Sequence, residues 1–108
     1  MKIILFADGK AGEVKTLPGE KPLAEIGELL GCTDQEPEMR RLTDRLRLCI
    51  NGNGGDPTVK YAYLRQWRGL AETQGACAVV HMAADGTLRD VTKGDIERAN
   101  ELVWSVWD

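Results

Sequence analysis

The apolar run ACAVVHMA, residues 76–83, constrains the fold of this chain more than any other segment. It is short, contains paired valines, and is bounded by Gly75 and by the turn residues 84–86. Such a run is typical of a strand buried inside a sheet. A second apolar run, KIILFA at residues 2–7, predicts another buried strand, and EVKTL at residues 13–17 alternates as its hairpin partner would. The sequence therefore predicts a fold built around a β-sheet.

The segments MRRL and RLRLCI flank Thr43-Asp44 and predict a second hairpin. A three-residue loop, 43–45, sets Leu42 opposite Leu46 and Arg41 beside Arg47. Two like charges across from each other disfavour pairing unless solvent, an acid or a ligand relieves them. In this register the apolar side chains on the core side are Leu42, Leu46, Leu48 and Ile50.

Three segments predict helices. The first begins at Pro22, a residue favoured in a first helical turn, and ends at Gly31. The second runs from Pro57 to about Arg68, with Asp56 as its N-cap. The third is capped by Thr92 and Asp95. Its buried stripe comprises Ile96, Ala99, Val103 and Val106 or Trp107.

These elements predict one α+β domain over residues 1–108, in which an antiparallel or mixed sheet of about five to six strands is covered by two or three helices. The longest apolar run, residues 3–7, is far too short to span a membrane. Asp8 and Gly9 interrupt it before the apolar region of a signal peptide could form. We therefore expect a cytoplasmic protein without a membrane partner.

Charge is distributed unevenly in this acidic chain, whose formal net charge is −3. Residues 36–68 hold seven basic side chains against four acidic ones. A positive centre inside an acidic protein suits a compact anion better than a long nucleic acid.

Three cysteines, Cys32, Cys49 and Cys77, are odd in number and include no CxxC pair. They predict reduced, buried thiols rather than a disulfide framework. With His81 as the sole histidine, the spacing fits no zinc finger or ribbon, so neither a metal nor a cofactor is predicted.

The glycine loop NGNGGD, residues 51–56, precedes the second predicted helix. Loops of this kind cradle phosphate when their N–H groups converge at a helix start. This one lacks the lysine and hydroxyl of the P-loop, and Asp56 would repel an anion. It is either a plain connection or a ligand contact through Asn51 and Asn53.

The segment KYAYLRQWR, residues 60–68, interleaves aromatic and basic side chains. Its rings could stack on bases while its cations hold phosphates, or the same helix could pack its rings on the sheet. Arg41 with Arg47 is either a solvated strand face or a guanidinium clamp for an anion. The candidate ligand-binding residues are Arg41, Arg47, Asn51, Asn53, Lys60, Tyr61, Tyr63, Arg65 and Trp67.

No catalytic constellation is predicted. Ser105 is the only serine and falls inside the last predicted helix, and His81 is expected to be a partly buried structural histidine. Trp104 and Trp107 lie near the end of the chain, and one of them is expected to anchor a contact in a homo-oligomer.

The order of the landmarks resembles a family of short proteins from bacteriophages, prophages and conjugative elements of gut Firmicutes, a domain of unknown function often found near antirestriction genes. The landmarks are the strand MKIILFADGK, the helix end GELLG, a strand reaching Asn51 and a glycine turn, QGACAVV, and DVTKGDIERA. After Asn51 the chain departs from the family pattern, because NGNGGDPTVKYAYLRQW replaces an acidic turn.

The resemblance implies an accessory protein of a mobile element that acts against host defence in the bacterial cytoplasm. Some similar phage proteins inhibit CRISPR nucleases, and small phage proteins of other families sequester cyclic nucleotide signals. The leading hypothesis is a non-catalytic protein that sequesters a small phosphorylated nucleotide, because the centre of the chain is basic, aromatic and rich in glycine. The alternatives are a nuclease inhibitor with an acidic surface and a housekeeping scaffold protein without a small ligand. The acids of that surface would be Asp90, Asp95, Glu97 and Glu101.

Overall fold

A computed structural model describes residues 1–32 and 35–106 of the chain. In chain order its elements are β1 (Lys2–Phe6), β2 (Glu13–Thr16), α1 (Pro22–Leu29), β3 (Glu38–Arg41), β4 (Leu46–Ile50), β5 (Lys60–Arg65), β6 (Gly69–Gln74), β7 (Cys77–Met82), β8 (Leu88–Arg89), α2 (Lys93–Leu102) and β9 (Val103–Val106). The predicted α+β class is confirmed: among the described residues, two helices accompany a six-stranded and a three-stranded antiparallel sheet.

Strand β7, the core of the run ACAVVHMA, is central in the large sheet as predicted. The large sheet has the order β2-β1-β7-β4-β3, and β8 pairs with the end of β7. On β7, Val79 lies opposite both Ile4 of β1 and Leu48 of β4. The predicted β3–β4 register is also confirmed, because Arg41 pairs with Arg47 and the Leu42 N–H donates to the Leu46 carbonyl.

Both faces of the large sheet are buried. One face packs against α1, with Ile3, Cys49 and Val80 around Ile26. The other face contributes Leu48 and other apolar side chains to a core shared with the small sheet and α2. A sheet covered on both sides requires near-continuous apolar strands, which is why β1 and β7 contain so few polar residues.

The helix predicted from Pro57 to Arg68 is wrong. This segment forms β5, a turn at residues 66–68 and then β6, and β5 lies between β6 and β9 in the small sheet. Tyr61 and Tyr63 point into the core, two residues apart, as a strand with one buried face requires. Asp56 does not cap a helix; its Oδ1 accepts from the N–H and hydroxyl of Thr58 and forms a local turn.

The prediction of the last helix is confirmed at the N-terminus of the helix and wrong at its C-terminus. Thr92 and Asp95 form the predicted capping box, and α2 then ends at Leu102. The chain continues as β9, which pairs with β5 and directs Val103 into the core. Strand β9 supplies hydrogen-bond partners for backbone groups on the free edge of β5. This pairing outweighs the helical preference indicated by the spacing of the apolar residues. Trp107, the other tryptophan of the predicted contact, lies outside the described residues.

The glycine loop has a structural role that the sequence did not indicate. Gly55 and Gly75 bring their backbones together: a Cβ on Gly75 would lie 2.7 Å from the Cα of Gly55. Gly75 also has φ +82°, which favours glycine. These two glycines let the connection after β4 pass directly over the turn between β6 and β7.

The burial of the three thiols predicts how they react with Ellman's reagent. Cys49 and Cys77 are fully buried, and burial is the main factor that raises the pKa of each to about 12. Cys32 is partly exposed, and burial raises its pKa as well. Since the thiolate is the reactive form, we expect one thiol to react in the native protein and the other two only on unfolding.

The matched variant for this measurement is Cys32→Ser, which should leave no thiol that reacts before urea is added. Two or three thiols that react in the native state of the wild type would contradict the burial of Cys49 and Cys77.

Candidate functional site

A cleft of about 610 Å³ lies between the β3–β4 turn, the β5–β6 turn and α2. The two turns are joined directly, because the Gln66 N–H donates to the Leu42 carbonyl at 3.1 Å. We call this site the arginine cleft; it is lined by residues 42–46 and 64–69, and by Asp95, Arg98 and Leu102. The fold thus assembles the cleft from three separate segments of the chain.

The arginine cleft is positively charged within an acidic protein. Its charged residues are Arg45, Arg65, Arg68, Arg98, Asp44 and Asp95. This is a formal balance of +2 from four arginines and two aspartates, in a chain whose net charge is −3. Concave, positively charged surfaces attract anions of small size.

Two of the four guanidinium groups are available to a ligand. Among the described residues, no hydrogen bond or ion pair engages the side chains of Arg45 or Arg68, and both residues are exposed. Arg65 donates to the carbonyls of its own turn at 3.2 and 3.5 Å, and Arg98 forms an ion pair with Glu101 at 2.8 Å. These last two contacts lie at the surface, where such interactions are weak and exchangeable.

Trp67 is the most unusual residue of the cleft. It lies at the tip of the β5–β6 turn, is 91% exposed, and has φ +67°. A bulky side chain in this backbone region is strained, and its exposure to water is also unfavourable. Residues held in such conformations cluster at ligand sites.

The cleft also contains an acceptor without a donor. The side-chain oxygen Oε1 of Gln66 is buried and has no hydrogen-bond partner among the described residues. Buried polar atoms in native proteins are nearly always paired. Gln66 lines the cleft, but Oε1 itself has almost no accessible surface, so the amide must rotate before this oxygen can accept from a molecule in the cleft.

Asp95 and His81 form a hydrogen bond at the end of the cleft. His81 Nδ1 lies 2.8 Å from Asp95 Oδ2, and the two side chains are 17% and 14% exposed. Burial raises the pKa of the Asp95 carboxyl, but the Thr92 N–H and the His81 imidazole outweigh burial and hold that pKa below its usual value. The carboxylate thus fixes both the start of α2 and the orientation of the imidazole.

The structure brings two of the nine predicted ligand-binding residues, Arg65 and Trp67, into the arginine cleft. Tyr61 and Tyr63 lie in the core instead. The Tyr61 ring is edge-to-face with Phe6, and its hydroxyl donates to the Lys10 carbonyl at 2.8 Å. The rings and guanidinium groups of this segment therefore do not share one hollow: Tyr61 and Tyr63 pack in the core, whereas Arg65 ends β5 and Trp67 lies in the turn that follows it.

Arg41 and Arg47 do not form a clamp. Arg41 pairs with Asp44 in the β3–β4 turn, and Arg47 Nη1 donates to the Thr43 carbonyl at 2.8 Å. The repulsion expected from their opposition is relieved by the carboxylate and the carbonyls of the adjacent turn. Both guanidinium groups stabilise the hairpin that carries Arg45 into the cleft.

Asn51, Asn53 and Lys60 also lie away from the cleft. The Asn51 amide donates to the Leu30 carbonyl at the end of α1, and its Oδ1 accepts from the Asn53 N–H. Lys60 begins β5, whereas Arg65 ends it, a separation of about 17 Å at the usual rise of a strand. The asparagines hold the glycine loop against α1.

Sequence reasoning missed Arg45, Gln66, Arg98 and the pairing of Asp95 with His81. Arg45 falls in a predicted hairpin loop and Arg98 on a predicted helix surface, and nothing in their spacing relates one to the other. The excess of basic residues over 36–68 is the one sequence signal that includes Arg45, Arg65 and Arg68 together.

The acidic surface considered for a nuclease inhibitor is largely engaged within the fold. Asp95 bonds to His81, Asp90 accepts from the Lys2 N–H at 2.8 Å, and Glu101 pairs with Arg98. Trp104 lies on the outer face of the small sheet, opposite Ala62, and is 40% exposed.

In comparisons with known proteins, no family model, no curated protein and no solved structure matches this chain. The resemblance to proteins of mobile elements therefore stays a prediction. Neither described helix is long and apolar enough to cross a lipid bilayer.

Proposed function

We propose that this protein binds a small phosphorylated nucleotide in the arginine cleft and sequesters it, as a counter-defence protein of a mobile element. The observation that carries the proposal is Trp67, an exposed and strained aromatic residue among four arginines. The counter-defence role rests on the resemblance of the sequence landmarks.

Each part of the cleft suits one part of a nucleotide. Arg45 and Arg68 offer planar guanidinium groups, which bind phosphate through two parallel hydrogen bonds. Trp67 offers a ring face on which a base can stack, and the Gln66 amide, once rotated toward the cleft, offers Oε1 to an exocyclic amino group. Binding would relieve both the exposure of the ring and the unpaired oxygen.

The chemistry of the cleft supports our proposal of binding without turnover. Thr43 provides the only hydroxyl among the residues that line it, and that Oγ1 accepts from the Arg45 and Leu46 N–H groups at 3.2 and 3.1 Å. A hydroxyl held as an acceptor in a turn is poorly placed to act as a nucleophile. We therefore assign no reaction to the site.

Titration calorimetry tests the proposal with cyclic dinucleotides, cyclic trinucleotides and isomers of cyclic ADP-ribose. We expect at least one of them to bind at micromolar concentration and to raise the melting temperature. Trp67→Gly should weaken that binding by about 10- to 100-fold through loss of stacking. Its melting temperature should be unchanged or higher, because glycine adopts φ +67° without strain.

Leu70→Ala is the matched control, since Leu70 is also exposed but lies outside the cleft. It should leave the affinity unchanged. Absence of heat and of a thermal shift with every compound would reject the proposed function. Absorbance at 260 nm in protein purified from a producing cell provides a second, independent readout.

A further inference from the structure

A second hollow, of about 460 Å³, adjoins the arginine cleft. Both are lined by Asp44 and Arg45, and the second is completed by His81, Ala83 and Ala84. We call it the His81 pocket. A hydrogen bond also joins the linings of the two hollows, because His81 of the pocket bonds to Asp95 of the cleft.

Arg45 lies where the two hollows meet, and its backbone is held in place. Its carbonyl accepts from the Met82 N–H at 2.7 Å, and its N–H donates to Thr43 Oγ1. Its guanidinium group has no partner among the described residues. The fold thus fixes the backbone of Arg45 at the boundary between two hollows and leaves its cation unpaired within the described part of the chain.

His81 gives the second hollow a polar group in a defined orientation. Asp95 holds Nδ1 at 2.8 Å, so Nε2 is the imidazole nitrogen with which a ligand can bond. No described residue bonds to Nε2. The ring is four-fifths buried, and its hydrogen bond to Asp95 of α2 limits its rotation.

We infer that the ligand is a dinucleotide, in which two nucleoside units are joined through phosphate. The first base stacks on Trp67 in the arginine cleft, the linking phosphate binds Arg45, and the second unit enters the His81 pocket and bonds to Nε2. This inference rests on the proposed function and specifies its ligand. Each hollow falls within the size range of small-molecule sites, and one mononucleotide would leave the second hollow empty.

Calorimetric titration with 5′-AMP and with cyclic di-AMP tests the inference. The wild type should bind the dinucleotide at least about tenfold more tightly, which corresponds to about one additional hydrogen bond. His81→Asn should remove this advantage and leave the affinity for 5′-AMP unchanged. Asparagine retains a group near Asp95 in place of Nδ1 but has no equivalent of Nε2.

Ala84→Glu provides a second variant in case His81→Asn alters the fold. It places a negative charge in the His81 pocket at an exposed position, so it should weaken binding of the dinucleotide alone. Ala24→Glu is its control, because Ala24 is exposed on α1, on the opposite face of the large sheet.

The outcomes separate the inference from the function on which it rests. Equal affinity for the two compounds, or an equal loss of both in His81→Asn, would overturn the dinucleotide assignment and leave nucleotide binding intact. Failure of both compounds to bind the wild type would overturn the dinucleotide assignment, and the proposed function would be overturned as well only if the cyclic trinucleotides and the isomers of cyclic ADP-ribose also failed to bind.

Discussion

Replacing Gly75 with alanine is expected to destabilise the protein by about 2–5 kcal/mol, measured as the free energy of unfolding in urea. Two costs combine at this position. The backbone has φ +82°, which is strained for any residue with a Cβ, and the new Cβ would lie 2.7 Å from the Cα of Gly55 and 2.9 Å from the Asp56 nitrogen. Backbone atoms cannot rotate away, so the glycine loop would have to separate from the β6–β7 turn.

Two further variants separate these costs. Gly86→Ala carries the conformational cost alone, because Gly86 has φ +85° and a Cβ added there would meet no atom within 4 Å. Gly55→Ala carries the steric cost alone, since its Cβ would lie 2.9 Å from the Gln74 carbonyl oxygen without a positive φ. If Gly75→Ala destabilises the protein no more than Gly86→Ala, the contact between the two loops contributes nothing to stability.

Truncating Tyr61 to alanine is expected to cost about 3–5 kcal/mol in the same measurement. The ring is fully buried, lies 5.7 Å from the Phe6 ring between centroids, and joins the small sheet to the large one. Its loss would leave a cavity between the sheets, and it would also leave the Lys10 carbonyl without the Tyr61 hydroxyl.

Tyr61→Phe is the matched variant and should cost only about 1 kcal/mol, because it retains the ring and removes one hydrogen bond. The pair also tests whether Tyr61 belongs to the core or to the ligand site that the sequence predicts for it. A Tyr61→Ala protein that melts like the wild type but no longer binds nucleotide would contradict the core position.

The individual strands and the two hairpins of the large sheet were predictable because their signals are local, whereas its strand order was not. Around Thr43-Asp44, apolar and polar residues alternate, and together with a three-residue loop this alternation allows one register between β3 and β4. That register places Arg41 beside Arg47. Strand β7 was predictable for a related reason, since a short valine-rich run between turns suits a buried strand. Where the period of the apolar residues and the turn residues indicate the same element, one sequence is sufficient to predict that element.

The helix predicted from Pro57 to Arg68 is wrong because the local signals of this segment are ambiguous. Tyr63 and Trp67 are four residues apart, as on a helix, while Tyr61 and Tyr63 are two apart, as on a strand. The choice is made by β6 and β9, which pair with β5 on its two edges. Strand β9 lies about forty residues further along the chain, so its pairing could not be derived from the segment itself.

The arginine cleft was only partly predictable for a similar reason. Arg65 and Trp67 could be identified because they lie in one basic, aromatic stretch. Arg45 and Arg98 join them only through the packing of a hairpin turn and a helix that are far apart in sequence. Composition can therefore indicate a positively charged region, whereas the identity of the groups that meet requires the fold.

The hydrogen bond between the Gln66 N–H and the Leu42 carbonyl has a consequence for recognition. Turns at the tips of two hairpins are ordinarily mobile, and ordering them around a guest opposes association. Here a hydrogen bond joins the two turns before any ligand binds, so most of the entropic cost of ordering them is met during folding. The walls of the arginine cleft are thus joined in advance, and we expect affinity for the proposed nucleotide to depend on complementarity rather than on closure of a flap.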